Sequence, residues 1–231
     1  MNTAPVQPGE LQTGTPMGLA FRLIQPAPAQ ARRCVILLHG VGSNEADMVS
    51  LAIGMSPDTL VILTRGPLTL GPGQYAWFRV AFGANGPSPN IEEAERSRLT
   101  LVHFVQQVQA TYGITPANTV IAGFSQGGIM STSVGLSAPD IVAGFGLLSG
   151  RILPELAPHL APQAQLAKLK VFVGHGEDDR VLPVAWAHKS DAWLTELGVP
   201  HELHLYPMDH GISNEIHADF LTWLAGVWPK P

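Results

Sequence analysis

The most reactive group that the sequence offers is a serine at the apex of a predicted strand, turn and helix. A short apolar run, residues 120–122, leads into Gly123-Phe124-Ser125-Gln126-Gly127, and an apolar stretch of helical length follows over residues 128–136. The Gly-x-Ser-x-Gly pattern is typical of a nucleophile elbow, where small flanking residues let strand and helix approach around a strained serine. The free N–H groups at the helix start favour an oxyanion. The alternative is a glycine-rich turn in which Ser125 only caps the helix.

A serine hydroxyl is a weak nucleophile at neutral pH, so Ser125 needs a base, and the base needs a group that orients it. His210 lies in a short loop between the last predicted strand and the last predicted helix, from which it could reach an elbow serine. Asp179 follows another predicted strand. The chain order of serine, acid and histidine is the order of the α/β-hydrolases and differs from the orders on other serine-protease folds.

The choice of the acid is open on spacing alone. Glu177, Asp178 and Asp179 are adjacent, and each could orient the histidine. The cluster could also be a solvated turn or a cation site made of neighbouring carboxylates.

Eight further histidines compete with His210 for the role of base. His39 and His175 each precede a glycine at a predicted strand end, and we expect them to brace loops through hydrogen bonds. His201 and His204 resemble a metal pair only superficially, because a spacing of three on a strand puts them on opposite faces. The others are expected at the surface or in an interface: His103, His159, His188 and His217.

The elements that must position these groups alternate between strands and helices. Besides the elbow strand, the predicted strands cover residues 33–38, 60–63, 142–148, 169–173 and 202–206. Besides the elbow helix, helices are predicted over residues 91–112, 183–197 and 214–228. A further helix is indicated by the spacing of Met48, Leu51, Ala52 and Met55, which lie on one helix face. The apolar positions of the helix over residues 91–112 are Leu99, Val102, Val105 and Val108, with Phe104 less well in phase. Continuous apolar strands alternating with helices predict a mostly parallel sheet covered on both faces, with ligands bound at the carboxyl ends of the strands.

The domain organisation is expected to be simple. We expect residues 1–9 to form a flexible tail, residues 10–231 to form one domain, and residues 11–24 to form an antiparallel hairpin. Two excursions rich in Gly and Pro, residues 65–90 and 151–165, interrupt the alternation, and loops of that length are usually functional or disordered. The chain has no room for a separate cap domain, so only loops should cover the site.

The composition argues against several classes of partner. The net charge is −5 with neutral histidines, and the absence of a Lys/Arg cluster argues against nucleic acid. No apolar stretch approaches the length of a membrane span and the start lacks a secretory pattern, so we expect a cytoplasmic protein without stable membrane insertion. Cys34, the single cysteine, reads as a small core residue. We expect no cofactor and no metal, and either a monomer or a homodimer.

Four motifs in order along residues 38–211 resemble the phospholipase/carboxylesterase family, which includes the acyl-protein thioesterases. They are Leu38-His39-Gly40-Val41-Gly42, Gly123-Phe124-Ser125-Gln126-Gly127-Gly128, the run from His175-Gly176 through Asp179 to Pro183, and His210. The resemblance implies an α/β-hydrolase fold and a serine hydrolase that cleaves small-molecule esters or thioesters through an acyl-enzyme.

The resemblance also implies roles for single residues. Ser125 is the nucleophile, His210 the general base, and Asp179 the acid because it aligns with the aspartate of the family's His-Gly-x-x-Asp motif. The backbone N–H groups of Val41 and Gln126 form the oxyanion hole. This agrees with the general rule that one donor follows the nucleophile and the other comes from the loop after an early strand.

One departure from the family concerns substrate choice. Many relatives carry an acidic residue after an aromatic pair in the first excursion, whereas Trp77-Phe78 is followed here by Arg79. These three residues are candidate substrate contacts. A buried Arg79 could meet an anionic substrate group, while a surface Arg79 would pack on Trp77. The apolar excursions could form an acyl groove or pack as ordinary loops.

Two other functions fit the same fold. One is a non-catalytic relative that binds a small hydrophobic ligand, against which the complete set of serine, acid and histidine counts. The other is a dienelactone-type hydrolase, which uses a cysteine at the elbow position that Ser125 occupies here. A shared fold does not decide between them.

Overall fold

The computed structural model describes residues 5–83 and 86–228, and most of its strands form one central sheet. The strands are β1 (Gln7–Pro8), β2 (Phe21–Gln25), β3 (Arg33–Leu38), β4 (Thr59–Thr64), β5 (Leu68–Gly71), β6 (Gln74–Ala76), β7 (Val80–Gly83), β8 (Gly86–Pro89), β9 (Thr119–Phe124), β10 (Gly144–Leu148), β11 (Lys170–Gly176) and β12 (His201–Tyr206). The sheet order is β1-β2-β4-β3-β9-β10-β11-β12. Only the pairs β1/β2 and β2/β4 are antiparallel within this sheet, which confirms the mostly parallel arrangement.

The helices alternate with the strands as the sequence predicts. They are α1 (Val49–Ala52), α2 (Ile91–Tyr112), α3 (Gln126–Ser137), α4 (Gln163–Leu166), α5 (Ala185–Glu196) and α6 (Asn214–Val227). Short 3-10 helices cover Glu45–Met48, Pro116–Asn118 and Pro154–His159. The helix predicted around Met48 is therefore a 3-10 turn followed by one turn of α-helix.

The continuous apolar strands are explained by burial on both faces of the sheet. In β3, Cys34, Ile36 and Leu38 pack into a core that includes side chains of α2, α3 and α5. Val35 and Leu37 pack on the opposite face, against side chains of α1 and α6. Because neighbouring residues of a strand point to opposite faces, both must be apolar when helices cover both sides.

The longest helix, α2, has the predicted bounds. Asn90 caps it by accepting a hydrogen bond from the Glu93 N–H, and Gly113 ends it with φ 67°. The predicted apolar face was partly wrong: Leu99 is 53% exposed, and Leu101 is buried with Phe104. The buried residues follow a spacing of three to four, which leaves Leu99 on the solvent side.

The N-terminal part differs most from the expectation. Gln7 pairs with Gln25 and Pro8 with Ile24, so sheet pairing begins inside the segment expected to be a flexible tail. The hairpin expected over residues 11–24 is reduced to one bridge between Gln12 and Phe21. Strand β2 instead pairs with β4, which no local pattern indicates.

The two excursions carry short regular elements. The first contains the hairpins β5/β6 and β7/β8, and the second a 3-10 turn and α4. Within residues 5–83 and 86–228, these two segments follow the carboxyl ends of β4 and β10, and no separate cap domain is present. None of the helices in the described ranges is both long and apolar enough to cross a membrane.

Candidate active site

Ser125 stands in the strained turn that the elbow motif predicts. It joins β9 to α3 with φ 54° and ψ −116°, a conformation that a non-glycine residue rarely adopts. The flanking glycines are required sterically: a Cβ on Gly123 would lie 2.3 Å from the carbonyl carbon of Gly127. A Cβ on Gly127 would lie 2.1 Å from the carbonyl oxygen of Leu38. The turn is also fixed by the Ser125 N–H, which donates to the Leu148 oxygen at 2.8 Å.

The structure brings the three predicted catalytic residues into one hydrogen-bonded chain. The Nε2 atom of His210 lies 3.0 Å from Ser125 Oγ, and its Nδ1 atom lies 2.7 Å from Asp179 Oδ2. An ionised carboxylate only accepts hydrogen bonds, so the proton of a neutral His210 belongs on Nδ1. Nε2 then accepts the bond from the Ser125 hydroxyl, as proton removal from the serine requires.

Burial separates the three acidic candidates that spacing left open. Asp179 is 5% exposed, whereas Glu177 and Asp178 are exposed. The second oxygen of Asp179 accepts the N–H groups of Val181 and Leu182 at 2.9 and 2.7 Å. The backbone of the β11–α5 loop therefore holds the Asp179 carboxylate towards His210.

His175 braces this loop from below. It is fully buried, and its Nε2 atom lies 2.7 Å from the Leu182 oxygen and 3.3 Å from Asp179 Oδ2. Burial lowers the pKa of His175, so the ring is neutral. A proton on Nε2 is then donated to the Leu182 oxygen, and the ring packs beside the Asp179 carboxylate.

The loop of His210 is held by residues that the sequence did not single out. The Ser149 hydroxyl donates to the Gly211 oxygen at 2.9 Å, and the Asp209 carboxylate accepts the His210 N–H at 2.8 Å. Ser149 has a φ of 47°, and like Ser125 it is one of the two non-glycine residues with positive φ in the described chain. A serine followed by Gly150 directly after β10 is the only sequence signal for this role.

The two candidate oxyanion donors belong to segments that lie close to Ser125. Gln126 is the first residue of α3, so its N–H has no acceptor inside the helix. Val41 follows Gly40, on which a Cβ would lie 3.4 Å from the Ser125 Cβ, so the β3 loop passes close to the nucleophile. Val41, Ser125 and Gln126 all line the same cavity.

His39 fixes the loop that carries Val41. Its Nδ1 atom lies 2.7 Å from the Gly40 oxygen, and its Nε2 atom accepts the Gly66 N–H at 2.9 Å. Burial lowers the pKa of His39 and keeps the ring neutral. His39 and His175 thus both bind loop backbone, the role that the sequence predicts for them.

A buried carboxylate beneath the same loop was not anticipated. Glu45 is 1% exposed and accepts hydrogen bonds from Arg22 at 2.7 Å and from Arg65 at 2.6 and 2.8 Å. Burial alone would raise the pKa of Glu45, but the bonds from Arg65 and Arg22 lower it to about 2. The network ties the 3-10 helix Glu45–Met48 to the first residue of the excursion, and Arg65 also donates to the Tyr75 hydroxyl at 3.0 Å.

Side chains from the protein core hold the backbone of residues 77–79. The Gln126 amide accepts the Trp77 N–H at 2.8 Å and donates to the Phe78 oxygen at 2.7 Å. Glu93 accepts the Arg79 N–H at 2.7 Å and the Arg79 guanidinium at 2.6 Å. Gln126 therefore has a second role besides its place after Ser125 in the elbow motif: its side chain holds the backbone of the excursion. The motif does not predict this role.

A cavity of about 380 Å³ opens over Ser125. Its lining is mainly apolar and consists of Val41, Leu70, Phe78, Arg79, Val80, Pro89, Ser125, Gln126, Ile129, Arg151, Val181 and Leu182. Of the three predicted substrate contacts, Phe78 and Arg79 therefore line the cavity. Trp77 is fully buried behind it and donates its indole N–H to the His39 oxygen at 2.9 Å. Arg79 is exposed and pairs with Glu93 instead of packing on Trp77.

His201 and His204 each have a carboxylate partner away from Ser125. His201 Nε2 lies 3.0 Å from Asp191, and His204 Nε2 lies 3.1 Å from Glu202. Within the part of the chain that the structure describes, no group of three or more His, Cys, Asp or Glu side chains could hold a metal ion.

The parallel sheet and an elbow serine joined to a histidine and a buried carboxylate define the α/β-hydrolase class. The family model described as phospholipase/carboxylesterase matches residues 20–227. Acyl-protein thioesterase 1 of Neurospora crassa is 29% identical over 222 residues, covering 87% of this chain and 90% of that protein. The carboxylesterase SOBER1 of Arabidopsis thaliana is 26% identical over 211 residues, covering 84% of this chain and 90% of that protein.

A solved structure supports the same assignment. The crystal structure of esterase PE8 superposes with a TM-score of 0.77 at 26% identity, covering 90% of this chain and 99% of that one. The chain belongs to the phospholipase/carboxylesterase family. It is a carboxylic ester hydrolase with the α/β-hydrolase fold, as the sequence predicts.

Proposed function

We propose that Ser125, His210 and Asp179 are the catalytic residues of this ester hydrolase. The observation that carries the proposal is the distance of 3.0 Å between His210 Nε2 and Ser125 Oγ. Ser125 itself stands in a strained turn that places it in the cavity lining. Asp179 orients the imidazole through Nδ1 and stabilises its cation.

The reaction then has two halves. His210 removes the proton of Ser125 as the oxygen attacks the ester carbonyl, and the N–H groups of Val41 and Gln126 stabilise the tetrahedral oxyanion. Collapse breaks the bond to the leaving group, which takes the proton from His210, and leaves an acyl-enzyme. Water, deprotonated by the same histidine, attacks the acyl carbonyl and releases the acid and Ser125.

The cavity supports a small-molecule ester with an apolar acyl group of modest size. Leu70, Phe78 and Ile129 supply apolar surface beside Ser125. A thioester is the second candidate, because the relative from Neurospora crassa is named an acyl-protein thioesterase. The elbow serine argues against a dienelactone-type hydrolase, and the completed hydrogen-bonded chain argues against a non-catalytic binder. A cytoplasmic location stays a prediction.

Hydrolysis of a chain-length series of 4-nitrophenyl esters tests the proposal. The wild type should hydrolyse some of them, and Ser125→Ala should lose several orders of magnitude in kcat, because the residues act as a unit (about 10⁴-fold or more). The matched control is Ser56→Ala, which removes an exposed hydroxyl before β4, at the opposite edge of the sheet. A Ser125→Ala protein that keeps wild-type activity would refute the assignment. Activity on matched oxygen esters and thioesters then separates the two leaving groups.

A further inference from the structure

Two arginines line the cavity with Ser125, and among the described residues only Arg79 forms an ion pair with a carboxylate. The Arg79 guanidinium lies 2.6 Å from Glu93, and its side chain is 64% exposed. The Arg151 guanidinium lies over the Trp186 ring, 4.4 Å from the centroid. No ion pair joins Arg151 to a carboxylate in the described ranges, whereas Arg22, Arg65, Arg79, Arg98 and Arg180 each have one.

Arg151 is placed next to the reacting serine. It follows Gly150, on which a Cβ would lie 3.0 Å from the backbone oxygen of Ser125. The loop after β10 therefore packs directly on the elbow. The guanidinium carbon of Arg151 lies over the Trp186 ring, and Arg151 also lines the cavity, so its side chain is within reach of a ligand there.

The electrostatics of this corner favour an anion. Arg151 is half-buried, and burial lowers its pKa against the opposing charge of Glu155, yet a guanidinium stays protonated. Lys189 adds a second cation, with its ammonium 4.4 Å from the Trp186 centroid. Among the described residues, the cavity lining contains Arg79 and Arg151 but no acidic residue. Glu155 acts on Arg151 only from beyond the distance of an ion pair, so a partly desolvated guanidinium still gains from a charged acceptor in the cavity.

We propose that Arg151 binds a carboxylate of the substrate, so that this hydrolase acts on esters whose acyl group ends in a carboxylate, the half-esters of dicarboxylic acids. The planar guanidinium matches a carboxylate in a two-bond geometry. Apolar side chains of the same cavity lining, among them Ile129 and Phe78, pack on the methylene groups. The inference rests on the proposed role of Ser125 and adds a substrate class to it.

The test compares two esters of equal acyl length, mono-4-nitrophenyl adipate and 4-nitrophenyl hexanoate. Replacing Arg151 by Gln should lower kcat/KM for the adipate ester about tenfold to a hundredfold, the usual effect of a bond to a charged group. The hexanoate value should stay within about twofold, which also reports an intact fold. Arg151→Lys keeps the positive charge but cannot form two parallel hydrogen bonds to a carboxylate, so its kcat/KM for the adipate ester should lie between the values of the wild type and of Arg151→Gln.

Two variants control for charge alone. Arg96→Gln removes an exposed arginine on α2 and should leave the ratio of kcat/KM for the adipate ester to kcat/KM for the hexanoate ester unchanged. Arg79→Gln removes the paired cation of the cavity and should change the ratio less than Arg151→Gln does. An equal loss for both esters in Arg151→Gln, or an unchanged ratio, would overturn the inference.

Calorimetric binding of adipate separates the inference from the catalytic proposal. Adipate should bind to the wild type and to Ser125→Ala, and should bind at least about tenfold more weakly to Arg151→Gln. If Ser125→Ala stayed active while adipate binding depended on Arg151, the anion site would stand and the catalytic assignment would fall. Adipate binding that is equal in Arg151→Gln and the wild type would remove the anion site whatever the activity.

Discussion

The catalytic loops and the cavity wall lie on one edge of the sheet but are held in different ways. Asp179 and His210 sit in short loops directly after β11 and β12. The Leu182 N–H of the first loop donates to Asp179, and the Ser149 hydroxyl after β10 donates to the Gly211 oxygen of the second. The wall over residues 65–90 is a long excursion, and its inner part is fixed by side chains that reach it from α2, α3 and the Glu45–Met48 turn.

The difference separates chemistry from recognition. Short loops at strand ends inherit the rigidity of the sheet, so the catalytic distances depend little on the wall. The wall depends on a few buried polar side chains, and each loss should affect stability or substrate preference more than the chemical step. Substitutions on the two sides should therefore change different measured quantities.

The largest effect should come from the catalytic side. Replacing Asp179 by Asn should lower kcat about 10³- to 10⁴-fold, because a neutral amide no longer stabilises the His210 cation or selects its tautomer. Asp178→Asn, which changes an exposed neighbour, should stay within about twofold of the wild type. Steady-state kinetics with the best 4-nitrophenyl ester measures both. The reverse ranking would move the acid to position 178.

The next effect concerns Glu45, the buried carboxylate that binds Arg65 at the start of the excursion over residues 65–90. The pKa of Glu45 in the folded chain, about 2, is below its ordinary value of 4.5, so the carboxylate contributes stability above pH 4.5. That contribution, about 3 kcal/mol from the shift of the pKa, is lost as the pH falls from 4.5 towards 2. Glu45→Gln should therefore be less stable than the wild type at pH 7, by an amount that shrinks at low pH.

Urea unfolding at several pH values measures this difference. The control is Glu196→Gln, which changes an exposed carboxylate at the end of α5 and should stay within about 0.5 kcal/mol of the wild type. A Glu45→Gln deficit that is the same at pH 3 and pH 7 would show that the charge of Glu45 does not stabilise the fold.

The smallest effect should appear in substrate preference. Gln126→Ala keeps the backbone N–H but leaves the Trp77 N–H and the Phe78 oxygen without their buried partners. We expect a loss of about 2 kcal/mol in unfolding free energy and an altered KM along the ester series, with a smaller change in kcat. Gln109→Ala is the matched control, because it removes a similar clamp on Thr119 and Ile141 away from the cavity. If both variants shifted the chain-length preference equally, the clamp would not act on the wall.

Helices and strands were predicted correctly where a short stretch of sequence carries its own signal, such as a cap or a regular apolar spacing. The helix α2 has a capping Asn90 and a terminal Gly113, and its bounds were predicted correctly. The pairing of Gln7 with Gln25 was missed because two residues carry no period, and the exposed Leu99 was misplaced because apolar type alone does not give the helix phase. The hairpins of the first excursion were missed because Gly and Pro dominate the segment.

The sequence by itself determined the parallel sheet, the elbow around Ser125 and the family, because short local patterns indicate the first two and the order of four such motifs along the chain indicates the third. Tertiary structure decided which groups meet. His210 reaches Ser125 across 85 residues and Asp179 across 31. It also gave Arg79 a carboxylate partner, whereas Arg151 forms no ion pair with any residue that the structure describes. Such pairings arise from the packing of distant strand ends and loops, which no local spacing encodes.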